Sequence, residues 1–81
     1  MDEVEAGKTA FLKLMVDVDG TLTAVIPSAA TQDNFLIALS NDNGRAMIMV
    51  PEDDLIDLDE DDDIAAEIRE KIVNAVAKIN G

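Results

Sequence analysis

Two periods of apolar residues run along this chain. Between residues 12 and 18 the pattern is two: Leu12, Leu14, Val16 and Val18 alternate with Lys13, Met15 and Asp17. Period two sets successive side chains on opposite faces of a strand. Residues 22–26 (LTAVI) supply a return strand, and Asp19-Gly20 between them is a hairpin signal, because glycine takes positive φ at no steric cost. The faces choose the loop. A three-residue loop of Asp19, Gly20 and Thr21 opposes Val18 to Leu22, Val16 to Ala24 and Leu14 to Ile26, so one face stays apolar. A two-residue loop would set Thr21 and Thr23 against that apolar row.

Residues 27–34 (PSAATQDN) are turn formers and predict a connection with room for a short helical turn. Residues 35–40 and 45–50 then read as a second hairpin around Asn43-Gly44. A two-residue turn there pairs Asp42 with Arg45, Asn41 with Ala46, Leu39 with Ile48 and Ile37 with Val50. Phe35, Ile37, Leu39, Ile48 and Val50 share a face. Leu36, Ala38, Met47 and Met49 fall on the other, which predicts that the second face is also covered, by the helix or by a second copy.

Period two gives way to a helical period after residue 63. Ile64, Ile68, Ile72, Ala75, Val76 and Ile79 recur at steps of three and four, an apolar stripe on a helix over residues 64–79. Arg69, Glu70, Asn74 and Lys78 occupy its other side. Asp61, Asp62 and Asp63 suit its N-terminus, where carboxylates accept from free amides and oppose the helix dipole. The expected fold is therefore a small α+β domain: an antiparallel sheet of two hairpins with a C-terminal amphipathic helix packed on it, in the order ββββα. Residues 1–9 read as a frayed lead-in, 52–63 as an acidic connector, and the whole chain as one domain. Gly7-Lys8-Thr9 lacks the preceding glycine of a phosphate-binding loop, since Asp2 stands there.

Composition changes the functional picture more than the fold. The 81 residues hold 18 acidic and six basic side chains, for a net charge of −12. Lys8, Lys13, Arg45, Arg69, Lys71 and Lys78 are dispersed, so no basic stripe is available to track phosphates; direct nucleic-acid binding is not expected. No histidine, cysteine, tryptophan or tyrosine is present. A Ser-His-Asp triad, a cysteine zinc site and an aromatic base-stacking platform are thereby excluded. The apolar runs are far short of a bilayer span, and no membrane contact, no cofactor and a cytoplasmic location are expected.

Residues 14–23 (LMVDVDGTLT) resemble the first motif of the haloacid dehalogenase superfamily of phosphatases and phosphotransferases, an apolar strand ending in DxDGT. The resemblance implies Asp17 as phosphoryl acceptor, Asp19 as general acid/base, and Mg²⁺ balancing their charge. Residues 35–41 (FLIALSN) resemble its second motif, with Ser40 as a phosphate contact. The resemblance covers these short stretches only. No lysine lies between Ser40 and Asp63 to serve as the third motif, and residues 22–34 carry no crossover helix, which a parallel βαβ unit of ~30 residues requires.

The densest feature is residues 52–63 (EDDLIDLDEDDD), nine acids in twelve positions without a base. A solvated connector that caps the helix is one reading, and a weak Mg²⁺ or Ca²⁺ site another. A third gives the run a function. Fully extended, at ~3.3 Å per residue, it would place a carboxylate every ~4–5 Å, close to the ~3.4 Å phosphate spacing of one DNA strand. The expectation drawn is a non-enzymatic interaction module that inhibits a basic, nucleic-acid-binding protein partner by nucleic-acid mimicry. Its binding residues would be Asp53, Asp54, Asp57, Asp59, Glu60, Asp61 and Asp62. In size and charge alone the chain resembles phage-type anti-defence proteins. The alternatives are a homodimer that serves as a structural or assembly module, and a Mg-dependent phosphotransferase-like protein using Asp17.

Overall fold

The computed structural model describes residues 3–81, and the fold is α+β. Helix α1 (Glu3–Val18) is followed by β1 (Thr23–Val25), β2 (Asn34–Asn41) and β3 (Gly44–Pro51), then by α2 (Glu52–Asp57) and α3 (Asp62–Asn80). The strands form one antiparallel sheet in the order β1-β2-β3. Helix α3 packs on the sheet, chiefly on β3, and α1 packs against α2 and α3.

The first expected hairpin is not formed. Residues 12–18 are the end of a 16-residue helix. Their alternation is real, but it coexists with a longer helical stripe of Val4, Gly7, Phe11, Met15 and Val18. Phe11 and Met15 are buried, whereas Leu12 and Val16, members of the expected strand face, are 41% and 55% exposed. The helix buries one large apolar stripe with strong helix formers around it, and a short strand offers no comparable burial. Residues 3–9, expected to be frayed, are the start of this helix; Met1 and Asp2 lie outside the described residues. The fold therefore has three strands in place of four and a helix ahead of them.

The turn after α1 keeps only part of the expected chemistry. Asp19 Oδ1 accepts from the Thr21 amide at 2.9 Å and from its hydroxyl at 2.6 Å. Gly20 does not take a positive φ. Positive φ values occur later, at Gln32 (51°) and Asp33 (66°), in a two-residue turn that pairs Thr31 with Asn34, and at Gly44 (159°) after the second turn. The left-handed pair of Gln32 and Asp33 matches the tight hairpin geometry that suits the twist of antiparallel strands.

The second hairpin forms with its register moved by two residues. Asn41 pairs with Gly44, Leu39 with Ala46, Ile37 with Ile48 and Phe35 with Val50, so Asp42-Asn43 is the turn and Arg45 lies opposite Ser40. The Asn41 side chain accounts for the earlier turn: its Oδ1 accepts from the Asn43 amide at 2.8 Å. A displacement of two leaves every side chain on its expected face. Phe35, Ile37, Leu39, Ile48 and Val50 are buried together with Phe11, Met15, Leu22, Leu55, Leu58, Ile68, Ile72 and Ala75 in a single core. Asn43 donates to Asn80 Oδ1 at 3.0 Å, which ties the hairpin tip to the end of α3.

Gly7 sets the seat of α1. A Cβ at this position would lie 2.2 Å from the Leu55 carbonyl oxygen and 3.2 Å from its Cγ. Helix α1 meets α2 through bare backbone there. At Gly20 the nearest atom to an added Cβ is the Val16 carbonyl oxygen at 3.9 Å, an ordinary contact. Gly7→Ala is expected to destabilise the domain by about 1–3 kcal/mol. Gly20→Ala is expected to stabilise it by up to about 1 kcal/mol, by restricting the unfolded chain. Paired thermal or urea melts check the two opposite signs, and equal effects would refute this assignment of the two glycines.

Candidate functional site

The acidic run is folded, not extended. Pro51 ends β3 and stands immediately before α2, which takes Glu52, Asp53 and Asp54 into its first turn. Six helical residues span only about 9 Å, so the phosphate-like spacing of an extended strand is absent. The expected connector over residues 52–63 is a helix, a turn and the start of a second helix. Leu55 and Leu58 are buried and Ile56 partly so. These apolar residues pin the segment to the core, whereas an extended path would have buried Ile56 and Leu58.

The last acids of the run start α3. Asp61 is its N-cap, with extended backbone, and its Oδ1 accepts from the amides of Asp63 at 2.9 Å and Ile64 at 3.3 Å. Asp62 and Asp63 occupy the first turn, and Lys78 sits in the last, as the helix dipole favours. The helix begins two residues earlier and ends one later than its apolar stripe predicts, because the cap, not the first isoleucine, sets its start.

What the fold brings together is a carboxylate-rich end of the molecule. A shallow depression is lined by Glu3 and Ala6 of α1 and by Ile56, Asp57, Asp59 and Glu60. Asp53, Asp61 and Asp62 are exposed on adjoining turns, and Asp54 is partly covered. Glu3 joins the group only because α1 is helical from its third residue; reading residues 1–9 as a lead-in hides it. Among the described residues, the ion pairs are Lys8 with Glu5 and Arg69 with Asp17, so no cation within salt-bridge distance neutralises the acids of residues 52–63. Among those residues no group of three or more acids is placed to hold a metal ion.

The motif-like segment around Asp17 is arranged differently from the resemblance. Its apolar strand is the C-terminal half of α1, its Asp17 carboxylate is paired with Arg69, and Asp19 is held by Thr21. The hydrogen bonds from the Thr21 hydroxyl and amide hold the Asp19 carboxyl below the usual carboxylate range. Ser40, on β2, is paired with Thr23 and Arg45. Among the described residues no helix is long and apolar enough to cross a membrane. Comparison with protein-family models, with curated proteins and with solved structures finds no match to this chain.

Two outcomes follow from the acids' separate jobs. Asp61→Ala removes the cap and is expected to cost about 1 kcal/mol, while Asp61→Asn retains most of it; a chemical melt of the two variants measures the difference. Uncompensated like charges also repel. Raising salt from about 10 mM to about 150 mM shortens the screening length from ~30 Å to ~8 Å, and the thermal midpoint is expected to rise by a few degrees. A midpoint that falls over this range would refute net self-repulsion.

Proposed function

We propose that this chain is a non-enzymatic interaction protein whose acidic end occupies the nucleic-acid-binding surface of a basic protein partner and so inhibits it. The observation that carries the reading is the exposed carboxylate surface of Asp53, Asp57, Asp59, Glu60, Asp61 and Asp62, joined by Glu3, with no cation among the described residues within salt-bridge distance of the acids of residues 52–63. Charge of this density steers and selects a positive surface. The mimicry is of a compact charge surface, with carboxylates on α2, on the turn after it and at the start of α3, and not of an extended phosphate ladder. This segment is anchored by Leu55, Leu58 and Ile68, so little ordering is needed on binding.

A specific observation favours a second reading, an assembly module that dimerises through its sheet. The outer sheet face exposes Val25 (65%), Leu36 (53%), Met47 (46%) and Met49 (54%). Strand pairing places Leu36 beside Met49, and Ala38 between Val25 and Met47, making one continuous apolar surface.

Pull-down from cell extract at two salt concentrations distinguishes the two. Under the first reading a basic nucleic-acid-binding protein is retained at low salt, is released by salt or by competing DNA, and binds about tenfold or more weakly to the variant with Asp57, Asp59, Asp61 and Asp62 changed to Asn. Asparagine preserves the cap at position 61, so folding is not the variable. Under the second, sedimentation shows a concentration-dependent mass that the four changes leave intact and that Met49→Lys reduces. Failure to retain any basic protein at low salt refutes the first reading.

A further inference from the structure

We propose that the free edge of β3, together with the groove between it and α3, binds an extended peptide in which apolar and acidic residues alternate. The register fixes which backbone groups are available. The Glu52 amide donates to the Asp33 carbonyl at 2.8 Å, across the same ladder that pairs Asn34 with Pro51. Even-numbered residues of β3 therefore direct their amides and carbonyls toward β2, and odd-numbered ones direct theirs outward. With β3 at the end of the sheet order, the backbone groups of Arg45, Met47 and Met49 face away from the sheet. The Met49 carbonyl confirms the direction, since it accepts from Lys71 Nζ at 2.9 Å, a side chain on α3 and not on a strand. An edge of this length is a template for an added strand.

The groove beside this edge is about 410 Å³ and is lined by β3 from Met47 to Met49, by Pro51, and by Lys71, Asn74, Ala75 and Lys78 of α3. Two of the chain's six basic residues thus flank the groove, and Arg45 is a third at the start of the same strand. Neither Lys78 nor Arg45 has an ion-pair partner among the described residues. Lys71 and Lys78 are seven positions apart on the helix, about 10.5 Å. An added strand alternates its side chains at ~6.8 Å between like-facing positions, so two or three acids on one face reach both lysines. The other face then lies beside the exposed Met47 and Met49 on the outer sheet surface. Lys71 exchanges the Met49 carbonyl for a carboxylate, and that carbonyl becomes an acceptor for the incoming strand.

Charge also selects the occupant. A second copy pairing edge to edge would bring a second set of the same cations, Arg45, Lys71 and Lys78, to the seam and add another net charge of −12. A basic strand would meet two lysines. Asp62 and Lys78 are sixteen residues apart on α3, about 24 Å, against a screening length of ~8 Å at physiological salt. The Lys78 end of the groove is thus electrostatically separate from the acidic end of α3. This inference does not depend on the proposed function, which uses that opposite end.

The test is titration of the full chain, ¹⁵N-labelled, with a capped peptide Val-Glu-Val-Asp-Val-Glu at physiological salt. A matched peptide with lysine at every acidic position serves as control. Saturable shifts of the Arg45, Met47 and Met49 amides are expected with the acidic peptide and not with the basic one. Lys71→Glu with Lys78→Glu should weaken binding about tenfold or more. Met47→Pro removes one outward amide without touching the β2 ladder and should abolish binding while the circular dichroism spectrum is retained. Equal binding of the two peptides, or shifts confined to other residues, overturns the proposal. So does a concentration-dependent dimer that Met47→Pro dissociates, which would make a second copy the occupant. Failure of the acidic-end variants to lose a basic partner has no bearing on these readouts.

Discussion

The contact between Gly7 and the Leu55 carbonyl leaves no room for a Cβ, and the arrangement of the helices depends on it. With the two backbones this close, α1 is seated against α2 as well as α3, and Phe11 and Met15 reach the common core. The same contact fixes α2, which holds the acidic residues that follow the sheet. A small domain has one core and little spare burial. Here a helix ahead of the sheet and two behind it share that core, and a single missing side chain at their junction allows it.

The C-terminal helix and the second hairpin were legible because each satisfies local and global demands at once. Ile68, Ile72 and Ala75 are buried on the stripe that their spacing predicts, and Asp61 caps where acids before an apolar run should. The hairpin kept its faces despite a register change because the change was even. The segment of residues 10–18 was not legible from alternation, since Phe11, Leu12, Leu14, Met15, Val16 and Val18 are apolar in a row that fits both periods. The deciding signal lay upstream, in Val4 and Gly7 continuing the stripe of Phe11 and Met15. Reading residues 1–9 as a lead-in removed that signal. Asp19-Gly20 followed the same error: with no strand before it, the turn closes a helix and needs no left-handed residue.

The acidic residues were visible by composition, but their geometry was not. Nothing in a run of aspartates distinguishes a ladder from a coil. The difference comes from Leu55 and Leu58, which bury three residues apart, a helical step and not a strand step. Glu3 entered the surface only through the helix that carries it. Arg45, Met47 and Met49 could not be recognised as an outward-facing edge, because the expected register, with Asp42 opposite Arg45 beside the turn, directs their backbone groups toward the partner strand.

The uneven placement of charge along α3 gives the molecule a direction. Asp61, Asp62 and Asp63 crowd one end, while Lys78 lies in the last turn of the other and Arg45 follows the hairpin tip that is tied to Asn80. Such a body has an electric moment as well as a net charge, so the field of a positive surface exerts a torque on it during approach. It rotates before it touches, and the end that arrives first is the one bearing α2 and the start of α3. Encounters that would otherwise be randomly oriented are biased toward a single face, while the Lys78 end of the β3 groove lies away from it.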